Sequence, residues 1–479
     1  MFHMTFHKHM PQGMKSAIVY TFASLCSKGL AIITVPIFTR LMTTEEIGTV
    51  NLYNSWHAMI AAVATLSLTS GGYMVALKEF EKERDQYQSS VLTLTSLVSC
   101  LLFLVYSIAP GFWSRVLGLD QALILLLLIG FLFSPATEFW LARQRYEYRY
   151  KAAAVITIGS AVLASALSVL VILYLHKQGS HYVAQGRLFA NYSILYGVAC
   201  VLWFMIMLRG RTFISMRFWK FSLALSLPLI ANSLATQVLN TSDRLMISKL
   251  VNNAAVGIYG TLSSISSISA IVWGAINTSF IPFLYKNIEN DKGKVEIKHL
   301  AKVLLGFYAV VCVLITFAAP EIVQILATKE YYAAIFIMPP IAAGIFQNAI
   351  SNMYSNVLLY HKRSVYILIA TVIAAVVNVV LNAIFIPINY MAAAYTTLFA
   401  HVVLAELQMY TARKMHFKVT KTKETVYDDK GIIAIQVAAI LVCIMAIPLY
   451  QFTLLRYAVI GLIGIGTLFL YRKFKLKSR

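Results

Sequence analysis

Charge is what this sequence has least of. Only 12% of its 479 residues are Asp, Glu, Lys or Arg, and acids are scarcer than bases, 19 against 40. With 59% hydrophobic residues and a mean hydropathy of +0.73, too little polar surface exists to keep so long a chain in water. A soluble protein is excluded, and the solvent is lipid. Long outer loops are missing too, and with them the place where a membrane-embedded polysaccharide polymerase, ligase or glycosyltransferase carries its catalytic residues. There is no Walker-type phosphate loop, no HExxH helix and no DxD pair in a soluble lobe. The five cysteines (Cys26, Cys100, Cys200, Cys312, Cys443) sit inside apolar runs without CxxC or Cys/His spacing, which leaves them as small packers and gives no disulfide framework or metal site. No cofactor is expected, and the chain is not expected to be an enzyme. The N-terminal segment lacks the apolar core and cleavage site of a signal peptide, so the first helix is expected to remain in the mature protein.

What is present is a succession of apolar runs, each long enough to cross a bilayer at about 20 residues per helix. They predict an all-α integral membrane protein of about 14 transmembrane helices, since a segment in hydrocarbon must satisfy its own backbone. The second predicted helix covers 48–69 and the eighth 254–283. The net charge of +21 would ordinarily suggest nucleic acid, but the bases lie in short clusters between the apolar runs, where they act as topology signals. Nucleic acid is not an expected partner; the lipid bilayer is. On one set of loops fall 31 of the 40 Lys and Arg residues, against 8 on the other. The positive-inside rule therefore predicts that both termini are cytoplasmic in a multi-pass protein.

An internal repeat organises the chain. At an offset of 210, Ala109-Pro110 falls on Ala319-Pro320; at 209, Ile47-Gly48 falls on Val256-Gly257 and Arg40 on Lys249. Two pseudo-symmetric six-helix halves follow, of the same orientation, plus two C-terminal helices. The expected divisions are a cytoplasmic N-terminus (1–16), the first half (17–208), a cytoplasmic linker (209–221), the second half (222–412), a cytoplasmic loop (413–430), helices 13 and 14 (431–472) and a cytoplasmic tail (473–479). Paired halves of this kind suit alternating access, so a transporter is the first functional expectation.

The stretch Leu225 to Gly260 carries Leu227-Pro228, Asp243-Arg244 and Val256-Gly257-Ile258-Tyr259. With NVVLNAIFIP (Asn378 to Pro387) and the AAPEIVQIL stretch from Ala318, it resembles the polysaccharide transporter family of O-antigen flippase type. That family belongs to the multidrug, oligosaccharidyl-lipid and polysaccharide exporter superfamily. After Pro387 the family has a glycine-rich turn, whereas this chain reads INYMAAAYTT, so the packing of helices 11 and 12 must rest on Ala392 to Ala394. The resemblance implies a flippase carrying an undecaprenyl-diphosphate-linked oligosaccharide across the bacterial inner membrane. Polysaccharide polymerase and chain-length proteins are then possible partners. Alternatives are a multidrug or peptidoglycan-precursor exporter of the same superfamily and, from another class, a membrane-embedded polymerase.

Moving a sugar diphosphate through hydrocarbon requires a polar, preferably cationic path. Thr21, Ser24 and Lys28 share one face of the first helix, and Ser233, Gln237, Asn240, Thr241 and Arg244 share one face of the seventh; Ser24/Ser233 and Lys28/Gln237 are repeat mates. Lys28 has two readings, a diphosphate ligand or the partner of a buried carboxylate. Asn348, Asn352 and Asn356, with Ser263, Ser267 and Asn277, add amides and hydroxyls suited to sugars or, taken singly, to helix packing. Asp243, with Arg244 beside it, is a candidate for gating. Glu138 and Glu406 are each either a coupling acid or a plain ion-pair partner, Glu138 with the cluster Arg143, Arg145 and Arg149. The run that holds this cluster, RQRYEYRYK, reads as a topology signal and anionic-lipid contact.

Overall fold

The computed structural model describes residues 12–69, 72–422 and 424–477, with side chains between 15 and 466, Ala17 and Ile18 excepted. Lys8 of the expected cytoplasmic N-terminus, Ser478 and Arg479 lie outside the described residues. Among the described residues there is no strand. The chain packs as two compact units, Met1–Gly257 and Ile258–Arg479. This division by packing follows Gly257, whereas the repeat divides the chain in the linker 209–221.

Unit one contains α1 (Gln12–Leu41), α2 (Thr44–Ala64), α3 (Gly72–Glu79), a 3-10 turn (Glu81–Glu83), α4 (Arg84–Ile108), α5 (Pro110–Leu117), α6 (Gln121–Tyr146), α7 (Tyr150–Lys177), α8 (Val183–Gly210) and α9 (Met216–Leu250). Then α10 (Asn253–Ser266) leads into unit two: α11 (Ser269–Asn287), α12 (Asp291–Phe317), α13 (Ala319–Leu326), a 3-10 segment (Lys329–Ile337), α14 (Met338–Tyr360), α15 (Ser364–Phe385), α16 (Ala392–Thr420), α17 (Asp429–Leu449) and α18 (Thr453–Lys477). All fourteen expected segments are helical. Among the described residues, ten helices are long and apolar enough to cross a bilayer, and the pair α10–α11, bent by 41°, makes an eleventh if it is one span. Of the other three, α2 and α16 are long but more polar, and α18 is apolar over Thr453–Gly466. Large apolar side chains such as Ile33, Leu101, Leu170, Val201 and Val437 are exposed, as a surface against lipid requires.

Local chemistry sets the breaks. A capping box starts α2: the Thr43 hydroxyl accepts from Glu46 N–H (3.2 Å) and the Glu46 carboxylate from Thr43 N–H (2.8 Å). The expected second helix, 48–69, ends early: α2 stops at Ala64 and residues 65–69 form a turn. The helix stops at Ala64 because Leu66 and Ser67 take left-handed backbone (φ 52° and 46°), a conformation costly for residues with a Cβ. The α10–α11 bend has another cause. Ser264 and Ser267 donate to the carbonyls of Gly260 and Ser263 four residues back (both 2.7 Å), a bond that bends helices. Both Ala-Pro landmarks open short helices, α5 and α13, with proline in the first turn where its missing N–H costs nothing.

The glycine landmarks meet. A Cβ on Gly48 would lie 1.8 Å from the Asn253 carbonyl oxygen, and one on Gly257 would lie 1.9 Å from that of Thr44. Residues 44 and 253, like 48 and 257, are 209 apart, so the contact reads the same from either side. That is the reciprocity of a twofold interface, here between repeat mates.

In unit one, α1 packs on α7, α8 on α4, α6 and α7, and α9 on α2, α3 and α4. An aromatic cluster of Tyr73, Phe80, Tyr87, Phe139 and Phe218 holds the α3, α4, α6 and α9 ends together, with Tyr73 stacked on Phe139 at 4.9 Å. In unit two, α14 is the buried centre, flanked by α11, α12, α15, α16 and α17. Ala393 and Ala394 are fully buried, and Asn378 donates to Thr397 (2.9 Å), so α15 and α16 pack closely without the family's glycines.

Candidate functional site

The turn that follows α2 opens on a cavity of about 510 Å³ within unit one. That volume falls in the range of about 300–1,000 Å³ common for small-molecule sites. One wall is the small-residue face of α2, Ala58, Ala61 and Ala62, continued by Thr65, Ser67 and Thr69 of the turn. Glu138 and Arg145 come from α6, one on each side of Leu141 and Ala142, and Ser233 and Gln237 come from α9. The left-handed residues Leu66 and Ser67 sit within the turn, and strain of this kind concentrates at functional sites.

The polar groups differ in how far the protein satisfies them. Thr65 and Ser67 donate to the carbonyls of Ala61 (2.8 Å) and Ala62 (3.2 Å). Thr69 donates to Glu138 Oε2 at 2.9 Å, and among the described residues this is the one hydrogen bond to that carboxylate. Ser233 and Gln237 make no side-chain hydrogen bond among the described residues, and both are partly accessible. Glu138 does not join the arginine cluster in an ion pair. Arg143 is held instead by Asp85, Gln88 (3.0 Å) and Glu147 (2.9 Å), and Arg149 by Glu147 (3.3 Å). Arg145, exposed on the cavity wall, is the cationic neighbour that Glu138 feels.

The expected site residues thus separate into groups. Ser233, Gln237 and Glu138 are brought together in the cavity. Thr21, Ser24 and Lys28 are exposed on α1 and are not part of its lining; among the described residues no carboxylate pairs with Lys28. Asn240 is exposed further along α9; Asp243 is buried, Arg244 half-buried, and neither is without a partner. In unit two, Asn348 and Asn352 are half-buried on α14. Asn356 donates to Asn277 (2.9 Å), and Glu406 accepts from Gln436 (2.9 Å). Sequence reasoning missed Thr65, Ser67 and Thr69. The run TLSLTSGG from Thr65 is a Ser/Thr/Gly cluster of the kind that ends helices, and Leu66 and Leu68 hid it inside an apolar window.

The all-α membrane fold is one that solved transporter structures share. The Lipid II flippase MurJ in an inward closed conformation superimposes with a TM-score of 0.70 at 15% identity, over 95% of this chain and 99% of that one. An inward-facing multidrug resistance MATE family transporter of the MOP superfamily gives 0.63 at 14% identity, over 85% of this chain and 100% of that one. The family model for polysaccharide biosynthesis protein matches residues 14–288, and the chain belongs to that family. A second model, MatE, matches residues 228–384. A search of curated proteins gave no match. The family resemblance read from Leu225 to Gly260 is upheld, and the fold is the one that the MurJ and MATE structures share.

Proposed function

We propose that the protein is a flippase that carries an undecaprenyl-diphosphate-linked oligosaccharide, of O-antigen or related surface polysaccharide, from the inner to the outer leaflet of the bacterial cytoplasmic membrane by alternating access. The observation that carries the reading is the polar cavity lined by α2, the turn after it, α6 and α9, in a chain of the polysaccharide biosynthesis family. Both termini are cytoplasmic in this reading, and the unit delivered outside would pass to a polymerase and its chain-length partners. Lys28, exposed on α1 with no carboxylate paired to it among the described residues, supplies positive charge to the diphosphate. The gating and coupling roles fall to Asp243, Arg244, Glu138 and Glu406.

The test is complementation of a deletion strain, scored as surface polysaccharide against membrane abundance of each variant. Lys28→Ala is expected to lose most polysaccharide at normal abundance and Lys28→Arg to keep part of it, since both ammonium and guanidinium bind phosphate. Full polysaccharide from Lys28→Ala would overturn the role of Lys28, and wild-type protein that restores none would overturn the flippase reading. One observation favours a second reading, multidrug export: Glu138 places a carboxylate in the cavity, as a cation site would. Resistance to lipophilic cations conferred by the wild type and lost in Glu138→Gln would support it.

A further inference from the structure

The unit-one cavity differs in one respect from the cationic path a diphosphate calls for: its two charged side chains, Glu138 and Arg145, cancel. We infer that this cavity is a glycosyl subsite, taking an uncharged, hydroxyl-rich portion of the cargo, and that Glu138 is the acceptor that reads its hydroxyls. The inference rests on the flippase reading and narrows it.

Three properties lead there. A carboxylate offers about four lone-pair sites, and Thr69 occupies one of those on Glu138, at 2.9 Å. The Thr69 hydroxyl shows, from within the protein, the geometry by which a sugar hydroxyl would bind. Secondly, Ser233 and Gln237 face the cavity without a protein partner among the described residues, and together they offer donors and acceptors at mid-helix depth. A sugar hydroxyl is both donor and acceptor and answers all three side chains. Thirdly, charge selects against the alternatives. Phosphate oxygens would meet the Glu138 carboxylate as acceptor against acceptor, and an organic cation would meet the Arg145 guanidinium. Two polar pairs of unit two make a contrast: Ser351 donates to Gln408 (2.9 Å) and Asn356 to Asn277 (2.9 Å), so these side chains satisfy one another instead.

The division of labour is then spatial: sugar in the cavity of α2, α6 and α9, diphosphate at cationic groups such as Lys28 on α1. To test it, full-length protein in nanodiscs is titrated calorimetrically with two probes. One is the free oligosaccharide released by mild acid from the lipid-linked unit that a deletion strain accumulates; the other is inorganic pyrophosphate. The expected result is oligosaccharide binding weakened at least tenfold by Glu138→Ala and by Gln237→Ala, and less by Glu138→Gln, whose amide oxygen still accepts. Pyrophosphate binding should be unchanged in all three variants. Thermal melting of each variant identifies any that misfold, and Gln237→Ala keeps the test decisive if Glu138→Ala is one of them. Oligosaccharide binding indifferent to Glu138 and Gln237, or displaced by pyrophosphate, overturns the inference while leaving the flippase intact. Failure of wild-type protein to flip the intact lipid-linked unit in vesicles overturns the flippase reading itself.

Discussion

The α2 helix and its repeat mate put the same stretch of chain to opposite uses. At the 209 offset fixed by the Gly48–Gly257 contact, Ala58, Ala61, Ala62 and Ala64 correspond to Ser267, Ala270, Ile271 and Trp273. In unit one the small side chains leave the cavity open. In unit two Trp273, the mate of the fully buried Ala64, packs against Tyr308 (ring centroids 5.2 Å apart), which in turn meets Phe346 at 6.0 Å, so that this position carries bulk in the hydrophobic core. The helix breaks differ accordingly. Unit one breaks by left-handed backbone at Leu66 and Ser67, whereas unit two bends by the back-bonding of Ser264 and Ser267, which stay exposed. The volume of a few side chains therefore decides whether a position stabilises the protein or binds.

That contrast can be broken at either end. The largest expected effect is from Trp273→Ala, which removes the centre of an aromatic cluster and should cost about 3–5 kcal/mol of stability, read as a lower melting temperature and membrane abundance. An unchanged melting temperature would mean that unit two is not filled as described. Next comes Ala61→Phe, which puts an aromatic ring into the unit-one cavity. Surface polysaccharide should fall to about a tenth or less, equivalent to more than about 1.4 kcal/mol, with abundance near wild type because the added ring enters open space rather than a packed core. Full polysaccharide from this variant would show that the cavity is not on the path.

The smallest effect sharpens the comparison at the helix ends, where unit one relies on the Arg143 cluster and unit two on Asp428. Lys302 donates to Asp428 at 2.6 Å and Gly431 N–H at 3.2 Å, and these bonds hold the Asp428 carboxyl below the usual carboxylate range. A depressed pKa stabilises above the unfolded value and loses that contribution as pH falls through the folded one. Asp428→Asn should therefore melt slightly below wild type at pH 7, with the difference closing as pH falls below the ordinary Asp pKa of about 3.9. A difference independent of pH would assign the effect to the helix cap alone.

Much of this fold was legible because lipid imposes one rule on every span. Fourteen apolar runs, the Ala-Pro and Gly landmarks and the Leu225–Gly260 stretch pointed to the observed helices, the reciprocal contact and the family. Less of the site could be read. Ser233 and Gln237 were visible as a polar face of one helix, but a face does not say which neighbours it meets, and the partners supplied by folding are Glu138, Arg145 and Thr69. The arginines near Glu138 looked alike in sequence; only geometry separates Arg143, engaged by Asp85 and Glu147, from Arg145 on the cavity wall. Asn277 and Asn356 were as polar as Gln237, and what distinguishes them is that they face each other. Emptiness has no residue of its own, so the cavity could be foreshadowed only by the alanines that line it.

The Gly48–Gly257 contact also constrains how this sequence can change. At most sites a glycine is one point mutation from alanine, a small step. Here either alanine would drive a methyl group into a carbonyl of the other repeat, at 1.8 or 1.9 Å, and because each helix supplies both a glycine and the carbonyl opposing its mate, no second substitution at the partner glycine relieves the clash. The two positions are therefore tied without being able to compensate for each other: the repeats are free to diverge around this point, one toward a cavity and the other toward a core, while the point itself admits a single residue in both.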